Sequence, residues 1–130
     1  DLRLHSVWTP ELGQSPDAFR RTIADETTVL SPIPEDRFLC AFGHIFSGGY
    51  SAGYYSYKWA EVLSADAFAA FEEVGLDQEE TIQATGQRFR NTVLSLGGSQ
   101  RPADVYQSFR GRKASTDALI RHSGLAATSC

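Results

Sequence analysis

Between Gly43 and Glu61 the chain reads GHIFSGGYSAGYYSYKWAE, which sets one histidine, His44, two adjacent glycines, Gly48 and Gly49, and the tyrosines Tyr50, Tyr54, Tyr55 and Tyr57 side by side. A phenol hydroxyl, with an ordinary pKa of about 10, is a neutral donor at physiological pH. It can hydrogen-bond a peptide carbonyl, or the oxyanion that grows from it when the amide is attacked. Adjacent glycines let the backbone enter regions that a Cβ closes, or approach a ligand, and so predict a loop that can move. A helix beginning near Ser51 would carry Tyr54, Tyr57, Glu61 and Ser64 at i, i+3, i+7 and i+10, one stripe along one side. Trp59, Val62, Leu63 and Ala70 would lie opposite, as the apolar face such a helix buries. Spacing alone leaves two uses open for the tyrosines, chemistry or aromatic packing.

The other familiar chemistries find little support. The three histidines, His5, His44 and His122, form no H-E-x-x-H pair, the i, i+4 spacing that puts two imidazoles on one helical face for zinc. A Ser47–His44–Asp66 triad can be written on paper, but no G-x-S-x-G turn presents the serine. Gly48-Gly49 lacks the lysine and strand context of a phosphate loop. Cys40 reads as a small apolar filler rather than a nucleophile.

The elements that must hold this stretch are helical. Ser15-Pro16 is an N-cap followed by proline at the first helical position, and Phe19, Ile23, Thr27 and Leu30 recur at helical spacing, which predicts a helix over 16–29. Ser31-Pro32-Ile33-Pro34 stops it and opens an extended connection over 31–43, with Glu35, Asp36 and Arg37 as a solvated charge cluster. The central helix is expected over 51–73, closed by Gly75. Asp77 and Glu80 make a capping-box-like start to the next, whose buried stripe is Ile82, Phe89, Val93 and Leu96 and whose end is Gly97-Gly98. Pro102 opens a short helix over 102–110 that turns Val105, Tyr106 and Phe109 inward. A last helix is capped by Ser115 or Thr116, carries Leu119 and His122 and ends at Gly124. No stretch alternates like a strand, so the fold class is all-α, with a frayed tail at 126–130.

With 130 residues, the chain is one domain by length, and 42% hydrophobic residues is ordinary for a globular protein. A net charge of -4 argues against a nucleic-acid partner, which needs clustered Lys and Arg. No run of about 18 apolar residues exists to span a membrane. DLRLHSVW is no signal peptide and the chain has no methionine, which fits a fragment. Cysteines at 40 and 130 make no disulfide framework and suit a reducing compartment such as the cytoplasm.

The run FGHIFSGGYSAGYYSYKWAEVLSADAF, Phe42 to Phe68, resembles the stretch that follows the zinc site in the thimet oligopeptidase and oligopeptidase A family of zinc metallopeptidases. DLRLH at the start, Gly97-Gly98, and FRGR at Phe109 to Arg112 extend the likeness over nearly the whole chain. The resemblance implies the helical C-terminal portion, residues 1–125, of a larger zincin-like and mostly helical enzyme that cleaves short peptides. In that family the zinc ligands and the general-base glutamate lie upstream, so this chain would bind no metal and would be inactive alone. His44 and Tyr57 would be catalytic, donating to the substrate carbonyl or its oxyanion. Gly48, Gly49, Tyr50 and Tyr54 would bind the peptide, the glycines by letting the loop close. Ser47 and Lys58 depart from the usual pattern without touching these roles, and His5 and His122 have no counterpart. Arg110, Arg112 and Lys113 read as a solvated helix end that complements its dipole. The implied partners are short peptides and the missing N-terminal part of the same protein, and the apolar surface that this part would cover favours self-association. The reading from another class is a non-catalytic helical peptide-binding module.

Overall fold

The computed structural model describes residues 1–125, so the frayed tail expected at 126–130 lies outside the described residues. Seven α-helices run in order: α1 Leu2–Ser6, α2 Pro16–Thr27, α3 Phe38–Ala41, α4 Ser56–Glu73, α5 Glu79–Phe89, α6 Pro102–Arg110 and α7 Asp117–His122. Short 3₁₀ turns lie at Pro10–Leu12 and Gly43–Ile45, and α5 continues as a π-helical segment, Arg90–Leu94. The described residues are helices, turns and loops without a strand, so the fold is all-α. They divide into two compact units, Asp1–Ser56 and the chain from Tyr57 onward.

In the first unit α2 starts as its sequence predicts. Ser15 Oγ accepts from the Ala18 N–H at 3.1 Å and Pro16 takes the first helical position. It ends at Thr27 instead of 29, because Thr28 is extended and its hydroxyl donates to the Ala24 carbonyl at 2.7 Å, supplying the acceptor with a donor that the next turn would have provided. The proline segment beyond is held by one side chain. Arg21 donates to the carbonyls of Pro32, Ile33, Pro34 and Asp36, at 3.0 to 3.3 Å, while Arg20 pairs with the Asp36 carboxylate at 2.9 Å. The Glu35–Arg37 cluster is therefore partly tied down, and the expected extended connection contains a helical turn, α3. Cys40 on that turn is exposed rather than a core filler.

The largest departure is the start of α4. Residues 51–55 form turns, and the helix begins at Ser56, so Tyr54 and Tyr57 do not share a helical stripe. The cause lies about fifty positions away in sequence. The Asp1 carboxylate accepts from the backbone N–H of Ala52 at 3.3 Å and of Tyr54 at 3.1 Å, and Ala52 sits at φ +54. A carboxylate that takes two N–H groups in a turn competes directly with helix initiation there.

In the second unit α4 buries Val62, Asp66, Ala69 and Ala70, a single face at i, i+4, i+7 and i+8. Val105 and Phe109 of α6, Ala118 of α7 and Thr85 of α5 complete the interior. The Phe109 ring meets Phe89 edge-on at 5.1 Å, and the Arg88 guanidinium lies over it at 5.4 Å. Trp59, expected on the buried face, is 55% exposed and borders an open cavity with Pro102, Ala103 and Tyr106. The capping box expected from Asp77 and Glu80 does not form. Gln78 takes the cap position without a side-chain bond, and the Thr81 hydroxyl reaches back to the Val74 and Gln78 carbonyls at 3.2 and 3.0 Å.

Candidate functional site

The loop between α3 and α4 gathers three of the residues singled out by their chemistry. His44 meets Tyr50 edge-on, with ring centroids 4.6 Å apart, and lies 5.6 Å from Tyr54. Phe42 packs against Tyr54 at 4.7 Å in a T-shaped contact, so a buried-edge phenylalanine orients the rings that carry the polar atoms. Tyr54 is 40% exposed and His44 is exposed. Tyr57 stands on the first turn of α4, in the second unit, and is 46% exposed. Neither Tyr54 nor Tyr57 is sealed in an apolar interior.

Gly48 and Gly49 take φ +69 and +76, conformations that a side chain strains. A Cβ on Gly48 would approach the Tyr50 ring at 3.2 Å, whereas one on Gly49 meets nothing within 4 Å. Alanine at either position is expected to cost about 1–2 kcal/mol in urea unfolding, from the backbone alone. Only Gly48→Ala should also shift the ring proton resonances of Tyr50. Identical Tyr50 spectra in the two variants would show that Gly48 does not set the position of that ring.

Two supports of this loop were not legible as such. His5, on α1, lies with Nε2 2.8 Å from the Ile45 carbonyl, and its ring stacks on Phe46 at 5.5 Å. Asp1 holds the other side of the loop through Ala52 and Tyr54. Ser47 Oγ donates to the Gly43 carbonyl at 2.8 Å, closing the 3₁₀ turn that presents His44.

The second unit contains a polar centre that the sequence reading passed over. Asp66 is 1% exposed, and its carboxylate accepts two bonds from Arg112 at 2.8 and 2.6 Å, one from the Tyr106 hydroxyl at 2.5 Å and one from the Ser115 N–H at 3.2 Å. Arg110, its side chain 4% exposed, lies 3.6 Å from Asp66 and donates twice to Glu73, at 2.9 and 2.6 Å. Burial pushes the Asp66 carboxyl up. Bonds from Arg112, Tyr106 and Ser115 and the Arg112 charge outweigh that and hold it at about 2. Burial and the Asp66 carboxylate push the Tyr106 phenol well above its ordinary range, so it stays a donor. The Arg110–Arg112 run is thus an internal ion-pair network, not a solvated helix end. Both oxygens of Asp66 are spoken for, which removes it from any Ser47–His44–Asp66 triad. His122 lies 3.1 Å from Glu72, and Arg121 pairs with the same carboxylate, so His5 and His122 are both satisfied histidines.

Among the described residues, no group of three or more His, Cys, Asp or Glu could hold a metal ion. None of their helices is long and apolar enough to cross a membrane.

This arrangement can be set beside known proteins. The organellar oligopeptidase A of Arabidopsis thaliana is 56% identical over 129 residues, covering 99% of this chain and 16% of that protein. The probable cytosolic oligopeptidase A of the same plant is 55% identical over 129 residues, covering 99% of this chain and 18% of that protein. Oligopeptidase A of Escherichia coli (strain K12) is 44% identical over 128 residues, covering 96% of this chain and 18% of the relative. The chain therefore spans under a fifth of the length of these relatives. The description "Peptidase family M3" matches residues 1–125, both units with the glycine–tyrosine loop included, and the chain belongs to that family.

Proposed function

We propose that this chain is the substrate-gripping portion of a zinc-dependent oligopeptidase that hydrolyses short peptides. The observation that carries this reading is an exposed cluster of His44, Tyr50 and Tyr54 around a glycine turn of strained φ, in a chain that matches a peptidase family from end to end of its described residues. Tyr50 and Tyr54 contact the peptide backbone, and Gly48 and Gly49 let the loop close on it. His44 and Tyr57 donate to the scissile carbonyl oxygen as charge develops there, a role that Tyr57 fills from the first turn of α4.

The residues of this chain do not fit zinc. His5 and His122 are engaged by Ile45 and Glu72, and no cluster of metal-ligating side chains occurs among the described residues. Zinc belongs to the upstream part of the longer protein, where the family resemblance puts its ligands, and no step of the mechanism is drawn through it here. The same upstream part is the partner for the apolar surface of the second unit, including a cavity of about 470 Å³ bordered by Leu63, Phe89, Val93 and Phe109. Left uncovered, that surface drives self-association. Nucleic acid and membranes are not partners, and the compartment is the cytoplasm, as for the relative named cytosolic.

The test compares two polypeptides on a fluorescence-quenched peptide. The 130-residue chain is expected to show no hydrolysis, and the longer protein containing H-E-x-x-H is expected to be active and to lose activity on chelation. Hydrolysis by the short chain with stoichiometric zinc would overturn the proposal, as would a longer protein that binds peptides without cutting them.

A further inference from the structure

Helix α1 has five residues and buries none of them, so core packing does not account for it. Its polar side chains are spent on the loop instead. Asp1, with its side chain 10% exposed, takes the Ala52 and Tyr54 N–H groups on separate oxygens, at 3.3 and 3.1 Å. His5, 15% exposed, reaches the Ile45 carbonyl at 2.8 Å. A carbonyl only accepts, so Nε2 carries the proton of that bond. The two side chains are one helical turn apart, with His5 Nε2 3.7 Å from Asp1 Oδ1, and so act as one block. They grip the chain at Ile45, beside His44, and at Ala52 and Tyr54, on opposite sides of Gly48-Gly49. One of the gripped residues, Ala52, is a non-glycine at φ +54, a conformation that persists only where its surroundings impose it.

We propose that Asp1 and His5 are positioning residues of the peptidase, a clamp that holds the two flanks of the glycine–tyrosine loop so that His44, Tyr50 and Tyr54 are preset for the peptide. This rests on reading the loop as the substrate-contacting element. The clamp acts through backbone groups. Its removal therefore leaves every proposed contact residue in place while loosening the loop, which raises the cost of ordering it in each turnover.

The experiment has two readouts. In the 130-residue chain, amide hydrogen exchange is followed at Ala52 and Tyr54 for Asp1→Ala and for Asp1→Asn, which keeps one acceptor oxygen. Exchange at both amides is expected to rise more than tenfold in Asp1→Ala and less in Asp1→Asn, with α2 amides unchanged. In the longer peptidase, Asp1→Ala and His5→Phe are each expected to lower kcat/KM about tenfold at unchanged Tm. The double variant should lose less than the product of the two, because both act on one loop. His5→Gln, which retains an N–H donor, should recover most of the His5→Phe loss. Unchanged exchange at Ala52 and Tyr54 in both Asp1 variants would overturn the clamp itself. Faster exchange with unchanged kcat/KM would overturn the substrate-contacting reading of the loop and the positioning role with it.

Discussion

Tyr57→Phe, made in the longer peptidase, is expected to lower kcat about 10²-fold while KM changes by less than about threefold. The substitution removes one hydroxyl and keeps the ring, and Tyr57 is 46% exposed on the first turn of α4, so neither packing nor helix initiation depends on the atom lost. A donor whose bond strengthens only as negative charge builds on the carbonyl oxygen contributes to the transition state and little to substrate binding. A 10²-fold loss corresponds to about 3 kcal/mol, the usual consequence of deleting one such donor. Tyr55→Phe is the control. That residue is 57% exposed in the turn before α4, has no role in the proposed chemistry and should leave kcat within about twofold. Equal turnover by Tyr57→Phe and the parent enzyme would remove Tyr57 from the mechanism. A raised KM at constant kcat would make it a binding residue only.

The other large effect concerns stability. Asp66→Ala is expected to destabilise the chain by about 3–5 kcal/mol at neutral pH, because it leaves Arg112 and the almost fully buried Arg110 without their shared counter-charge and the Tyr106 hydroxyl without its acceptor. Against a total stability of about 5–15 kcal/mol for an ordinary domain, that is enough to unfold a marginal one. The pH dependence has a definite sign. The folded-state pKa of Asp66 is held at about 2 against the ordinary 3.8, so its contribution is fully present above about pH 4 and is lost as pH falls toward 2. The displacement corresponds to about 2 kcal/mol. Urea unfolding of the parent chain at pH 7, 4 and 2.5 should show that loss below pH 4. Asp66→Asn should be less stable at pH 7 and should lack this component of the acid decline. A variant within 1 kcal/mol of the parent at pH 7, with the same acid slope, would mean that the network does not support the unit.

Local rules carried the reading where local chemistry decides. Ser15-Pro16 starts α2 and Pro102 starts α6 as written, and Val105 and Phe109 are buried where a helical period puts them. The double glycine at 48 and 49 takes positive φ, the conformation for which glycine is the default. Partners distant in sequence decided the rest. The start of α4 moved from 51 to 56 because Asp1 supplies acceptors to Ala52 and Tyr54, and nothing near Ser51 in the sequence announces that. Tyr54 consequently joins His44 and Phe42 instead of Tyr57's helix face. Asp66 left a trace that could have been followed. It falls four residues after Val62 and four before Ala70, in the middle of the apolar register, and a carboxylate there must find buried cations. Two arginines of the FRGR run, Arg110 and Arg112, were available to be those cations.

The wide turn at Arg90–Leu94 bears on how the second unit tolerates change. There the Ser95 N–H reaches back five positions to the Arg90 carbonyl, at 2.9 Å, so the segment holds a surplus residue beyond the ordinary winding. Each residue of a regular helix advances the chain by about 100° around the axis. Excision of one amino acid from this segment would restore normal winding without severing the helix, yet would swing everything that follows by roughly that angle, carrying Val105 and Phe109 out of phase with α4. Length, more than side-chain identity, is the constrained quantity along that segment.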